Sequence, residues 1–186
     1  FERVKSQETE LIRLTLSDPL TNIPNRRAFE MEMEKVIAMS KRYDWPLTVV
    51  ILDVDSFKLY NDNYGHASGD TALVAIAQLL EGFAQRSGDF AARYGGEEFV
   101  FILPNTDKDG AIRVATALLE AVRDANLEHK YSPKEDHLTI SIGASTCQQQ
   151  DPKDADYVQR LADHALYSAK QSGRDRMVHY SDIITS

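Results

Sequence analysis

The sequence has a single cysteine, Cys147, in 186 residues. No internal disulfide framework can form, and the residue reads as a small, partly buried one near a strand end. Long apolar runs are missing too, and those present are far too short to cross a bilayer. No secretory leader pattern is visible. The chain starts at Phe1 rather than Met, which predicts a piece of a longer protein whose N-terminal part could hold membrane spans or a sensor. Positive charge is in deficit, with 21 Lys and Arg against 29 Asp and Glu, a formal −8. A general nucleic-acid binder would show a basic face, so that class is set aside. A nucleotide ligand is not, because a metal and a few cations can hold a triphosphate locally. Internal repeats and low-complexity tracts are absent. What is there is ordinary globular composition, 42% hydrophobic and 27% charged, with enough length for one full-sized core.

Residues 1–17 carry Val4, Gln7, Leu11 and Leu14 at heptad-like spacing. They read as a linker or stalk helix, with a surface helix packed on its own domain as the alternative. Asp18-Pro19 reads as a helix start with proline at the first helical position. A helix is predicted from about Asn25 to Tyr43, with Phe29, Met33, Val36 and Ile37 as its apolar stripe. Leu47–Val54 is almost wholly apolar and β-branched, a central strand buried on both faces. Gly69–Phe83 is predicted helical, with Leu73, Ile76, Ala77 and Leu80 inward. Phe90–Tyr94 and Phe99–Leu103 form a hairpin about a Gly-Gly turn. A helix follows from Thr106 to about Asn126, with Ile112, Ala115, Leu119 and Val122 inward. Leu138–Ser145 is a strand, Asp156–Ser172 a helix stopped by Gly173, and Met177–Tyr180 an edge strand. From Leu47 the order is β-α-β-β-α-β. That predicts an α+β fold with a ferredoxin-like core, helices on one face of an antiparallel sheet, and a globular domain over 18–186.

The chemistry concentrates where the core strand ends. Asp53 and Asp55 lie two apart, so an extended chain points them to one side. A carboxylate there is costly to bury unless paired or metal-bound; a hydrogen-bonded turn aspartate is the alternative. Gly95 and Gly96 permit positive φ and leave no side chain over the turn, so phosphates could approach the backbone. Glu97 and Glu98 follow at once. A strictly extended chain would face them oppositely, and curvature at Glu97 would bring both to one site. A solvated hairpin tip is the competing reading. Two acidic clusters on neighbouring strands suit Mg²⁺, which takes one or two carboxylates plus substrate phosphates. Paired ions roughly 3.5–4 Å apart serve in-line displacement at phosphorus, and a third carboxylate could accept the attacking hydroxyl's proton.

Between that strand and the next helix, residues 56–70 read as a short helix and an ordered loop. Asn61 offers donor and acceptor, and Asp70 is an acceptor that matches guanine's N–H donors. Asp70 reads equally as a helix N-cap, and His66 as a structural loop histidine. Lys170 and Arg174 end the last helix, as dipole partners or as phosphate clamps.

Together these residues resemble the GGDEF family of diguanylate cyclases. Gly95-Gly96-Glu97-Glu98-Phe99 is a form of its name motif. Asp18-Pro19-Leu20-Thr21 through Asn25-Arg26-Arg27 is similar to its start, and Asp53-Val54-Asp55-Ser56-Phe57-Lys58, Asn61-Asp62, Gly65-His66 and Gly69-Asp70 follow in order. Ile140-Ser141-Ile142-Gly143 and Ala165 through Lys170 to Gly173-Arg174 complete a match over about 18–180. The resemblance implies condensation of two GTP into cyclic di-GMP with loss of pyrophosphate, on a face-to-face homodimer. It implies Mg²⁺, with Mn²⁺ as a substitute, on Asp53, Glu97 and the Val54 carbonyl, and Glu98 assisting the ribose 3′-hydroxyl. Asn61 and Asp70 would read guanine. Lys58, Lys170 and Arg174 would hold phosphates, and Phe57, Gly95 and Gly96 would line the substrate site. Arg86-Ser87-Gly88-Asp89 matches the family's Arg-x-x-Asp product-inhibition site, through Arg86 and Asp89. A second arginine from the following helix is replaced by Ala117 here, with Arg113 one turn earlier. A cytoplasmic domain under an upstream sensory domain, membrane-anchored in one form of the full-length protein, is implied as well. The alternative function is a catalytically silent receptor for GTP or cyclic di-GMP.

Overall fold

The computed structural model describes residues 15–84, 86–148 and 150–184. The first fourteen positions of the proposed stalk lie outside them. Six helices and five strands alternate along the described residues. They are α1 (Arg26–Tyr43), β1 (Leu47–Val54), α2 (Phe57–Tyr64), α3 (His66–Glu81), β2 (Phe90–Gly95), β3 (Glu98–Pro104), α4 (Lys108–Asp124), β4 (Ile140–Cys147), α5 (Ala155–Gln171), β5 (Met177–His179) and α6 (Tyr180–Ile183). The sheet runs β2-β3-β1-β4-β5. Its first four strands are antiparallel to their neighbours, and β5 adds in parallel to β4. The α+β core expected from the sequence is present as a mixed sheet.

The helices do not keep to one face, as had been expected. All eight residues of β1 are buried, so both of its faces need a cover. Val50, Leu52 and Val54 pack with Leu73, Ile76 and Leu80 of α3 and Ala115, Leu118 and Val122 of α4. Leu47, Val49 and Ile51 pack on the other side with Phe29, Met33 and Val36 of α1 and Val158, Ala162 and Leu166 of α5. Two cores therefore sandwich one sheet. Leu118 takes the fully buried position on α4, while Ile112 is half-buried.

Caps fix the helix starts. Asn25, Asp107 and Asp154 accept from the amides of Ala28, Gly110 and Tyr157 and begin α1, α4 and α5. Asp18-Pro19 starts no helix. Its carboxylate accepts from the Thr21 amide and hydroxyl and closes a turn, and the helix waits for Asn25. Asp70 is not a cap either, because α3 already begins at His66. Cys147 ends β4 fully buried, and burial, ahead of neighbouring charges, pushes its thiol up to about 11. No helix among the described residues is long and apolar enough to cross a membrane.

Candidate active site

β1 and β3 are antiparallel, with Asp53 directly opposite Glu98 and Ser141 opposite Asp53 on the other side. Partners in register share a face. That face is the one carrying Val49, Ile51, Val100 and Ile102, so the acid pair terminates the core beneath α1 and α5. Glu97 sits next to it, its carbonyl accepting from the Val54 amide at 3.2 Å. The last turn of α5 brings Lys170 to the same point, Nζ to Asp53 Oδ2 3.0 Å. Burial pushes the Asp53 carboxyl up to about 6; Lys170 pulls it down, and Glu97 and Glu98 push it further up. Asp53 thus lies within electrostatic reach of both glutamates and of Lys170.

The turn between the acids is a two-residue loop closed by Gly95 opposite Glu98. Gly96 has φ +54°, the left-handed region that glycine adopts without strain. A side chain there would meet nothing within 4 Å, so the space above the turn is open. A register shift between Arg93 and Gly95 bends β2 just before it. Arg93, which sequence reasoning passed over, anchors this bend. Its Nε and Nη2 donate to the Gly96 carbonyl at 3.0 and 2.7 Å, and its Nη1 to Asp18 at 2.9 Å. Burial pushes the Asp18 carboxyl up, but Thr21 and Arg93 outweigh it and hold it below its ordinary value. The Asp18-Pro19 motif is therefore the far post of the glycine turn.

Asn61 lies on α2 against Gly69 of α3. A Cβ at Gly69 would fall 1.8 Å from Asn61 Oδ1, so the absent side chain makes the space for the amide. That Oδ1 is buried and has no hydrogen-bond partner. A buried acceptor of this kind calls for a donor, from water or from a ligand. Asp70 is exposed one residue along. Phe57 is buried at the start of α2 and Lys58 is exposed beside it. Arg174 is exposed just after α5. Arg86 and Asp89 close a separate turn, Arg86 N to Asp89 Oδ2 3.2 Å, at the opposite end of β2 from the glycines.

Asp55 had two readings, a metal-site acid beside Asp53 or a hydrogen-bonded aspartate. Its oxygens accept from the hydroxyls of Thr139 at 2.8 Å and Ser141 at 2.6 Å and from the Asp175 amide at 3.1 Å, as in the second. It also lies past the end of β1, so the period-2 rule no longer fixes its direction.

Among the described residues no three acidic, histidine or cysteine side chains form a ready-made metal cage. The donor set nonetheless fits Mg²⁺. Asp53, Glu97 and the Val54 carbonyl would supply hard oxygens, few in number, which suits an ion whose shell is completed by phosphates. The raised Asp53 pKa comes first from burial, with the neighbouring glutamates adding to it, and a bound cation would offset both.

The family described as diguanylate cyclase, GGDEF domain, matches residues 15–176. The chain belongs to that family. A diguanylate cyclase of Vibrio cholerae serotype O1 is 35% identical over 171 residues, 92% of this chain and 51% of that protein. The GGDEF chain therefore spans about half the length of that relative. Among solved structures, the coiled coil and GGDEF domain of DgcB from Caulobacter crescentus, in complex with c-di-GMP, superposes with a TM-score of 0.83 at 32% identity, covering 96% of this chain and 92% of that one. The active GGEEF domain of a diguanylate cyclase from Vibrio cholerae gives 0.72 at 34% identity, covering 84% and 96%. The enzyme class expected from the motifs is the one these relatives carry. The turn Gly95–Phe99 has the same GGEEF letters as that last domain's name.

Proposed function

We propose that this chain condenses two GTP molecules into cyclic di-GMP and two pyrophosphates, with Mg²⁺ and as a homodimer. The observation that carries the reading is the register of Asp53 against Glu98 beside a glycine turn, with Lys170 as countercharge. Asp53, Glu97 and the Val54 carbonyl would hold the ion. Bound there, Mg²⁺ would neutralise the triphosphate and stabilise charge on the attacked phosphorus.

The chain's own residues do the rest. Gly95 and Gly96 admit the phosphates to the backbone, and Lys58, Lys170 and Arg174 hold them. Asn61 Oδ1 accepts from the base, Asp70 takes a second guanine N–H, and Phe57 backs the amide. Adenine offers no such pair of donors on that edge. The ribose 3′-oxygen of one GTP attacks the α-phosphorus of the other. The bond to the bridging oxygen breaks, pyrophosphate leaves, and the hydroxyl proton passes to Glu98. The same step repeated in the other direction closes the ring. One chain holds one GTP, so two chains must face each other, and the stalk over 1–17 serves that pairing. The coiled coil of the DgcB structure supports the stalk reading. An upstream sensory domain would set the pairing.

Arg86 and Asp89 would bind product and slow the enzyme; DgcB and another GGDEF domain solved with cyclic di-GMP support a product site in this family. One experiment addresses both claims: progress curves with GTP for wild type, Glu98→Ala and Arg86→Ala. Glu98→Ala should fold normally and lose about 10²–10⁴ in rate, whereas near wild-type turnover removes its role. Arg86→Ala should stay linear where wild type slows, and superimposable curves remove the product site.

A further inference from the structure

Asp55 is buried, two residues from the acid pair, and the proposed chemistry gives it nothing to do. Its Oδ2 accepts from the Thr139 hydroxyl and the Asp175 amide, and its Oδ1 from the Ser141 hydroxyl. Thr139 and Ser141 belong to β4 and its approach, so the carboxylate is fixed to the sheet. Asp175 belongs to the connection between α5 and β5.

That connection is unusual. Gly173, Arg174 and Asp175 have φ of +108°, +59° and +49° in succession. Two adjacent non-glycine residues in the left-handed region persist only where the surroundings hold them. Here Lys134, Arg123 and Asp55 hold them. Lys134 Nζ donates to the Gly173 and Arg174 carbonyls. Arg123 of α4 grips the Asp175 carboxylate through Nε and its carbonyl through Nη2. Asp55 takes the Asp175 amide from below. The held segment begins three residues after Lys170, whose ammonium meets Asp53, and it contains Arg174.

We propose that Asp55 is a positioning residue and not a metal ligand: it ties the left-handed 173–175 turn to the end of β1, so that the cations of the α5 end are set against the Asp53 site. The role in holding a triphosphate rests on the cyclase reading; the tie itself does not. The two roles for Asp55 part company on substitution. Asn in its place can put its oxygen at the Oδ2 position, still accepting from the Asp175 amide and Thr139. Its NH₂ then faces Ser141, whose hydroxyl turns to accept. Asn thus keeps the tie, but it is a poor replacement for a metal-bound carboxylate.

The test compares wild type, Asp55→Asn, Asp55→Ala and Arg123→Met. Exchange of the Asp175 backbone amide is followed by NMR without nucleotide. Affinity for 3′-deoxy-GTP, which cannot condense, and its Mg²⁺ midpoint are measured alongside. In Asp55→Ala the Asp175 amide should exchange about tenfold faster or more. Its 3′-deoxy-GTP affinity should fall about tenfold, the loss of one well-placed charged contact, with an unmoved Mg²⁺ midpoint. Asp55→Asn should match wild type in all three. Arg123→Met, at an exposed end of the same turn, should shift exchange and affinity in the Ala direction by less. If Asp55→Ala does not fold, Asp55→Asn and Arg123→Met decide. A raised Mg²⁺ midpoint in Asp55→Asn makes Asp55 a metal ligand and overturns the proposal. So does unchanged Asp175 exchange in Asp55→Ala, or unchanged nucleotide affinity in a variant whose turn has loosened. A wild-type chain that ignores 3′-deoxy-GTP sinks the cyclase reading alone, and Asp175 exchange then decides the tie.

Discussion

Burial pushes the Asp53 carboxyl from its ordinary 3.8 up to about 6, Lys170 opposing and Glu97 and Glu98 reinforcing. An acid whose pKa is higher in the fold binds more protons folded than unfolded across that window. Its contribution therefore favours the fold at low pH and declines as pH rises through about 6. In urea titrations without Mg²⁺, wild type should lose stability relative to Asp53→Asn between about pH 4 and 6; a constant difference would contradict the assignment. Mg²⁺ binding needs the ionised form, so its midpoint should improve as pH rises through the same window. Asp70→Ser belongs at this scale too. It should lower the preference for GTP over ATP about tenfold or more, as loss of a hydrogen-bonded base contact does; an unchanged ratio removes the base-reading role. Asp53 and Glu98 were legible because acids at the end of an apolar strand and after two glycines have few structural excuses. Arg93 was not, because a charged residue in a short strand looks like ordinary alternation and its partner Asp18 is 75 positions away. Asp55 was left with two readings because only the fold brings Thr139, Ser141 and Asp175 to it.

Helix α5 carries Lys170 and lies directly on β4, with Gly143 at the crossing. A Cβ on Gly143 would fall 2.1 Å from the Leu166 amide nitrogen and 2.2 Å from the Ala162 carbonyl oxygen. Backbone on both sides cannot yield by a rotamer change, so Gly143→Ala must lift the helix from the sheet. The expected cost is about 1–3 kcal/mol or more, read by denaturant unfolding, with Lys170 drawn back from Asp53 and turnover reduced. A variant of wild-type stability would show that the contact is looser than described. The elements themselves were readable from period: the buried stripes of α1 and α3 and the almost wholly apolar β1 appear as expected. The start of α1 falls where expected, at Asn25, although Asp18-Pro19 starts no helix; the start of α3 lies at His66, one turn before the expected Gly69. The second helical layer was missed because β-α-β-β-α-β order counts only the α3 and α4 side, while α1 and α5 come from outside that repeat.

At the scale of the whole molecule, the sheet collects at one end the two acids of β1 and β3, the glycine turn, the α2–α3 corner with its orphan amide, and the cations of α5. Its other features serve that end. Arg93 ties the turn to the Asp18 motif, and two cores hold the central strands rigid from both sides. Fold class was legible in the sequence because ordered motifs constrain it jointly. The proposed reaction needs two sets of these groups, and so a pair of chains. Substituting a strong dimeric coiled coil for residues 1–14 gives the pair directly. The deciding measurement is the product formed by that protein from GTP with Mg²⁺, identified by mass. The account predicts cyclic di-GMP with one pyrophosphate released per GTP. GTP bound by the dimer with no cyclic product would contradict it.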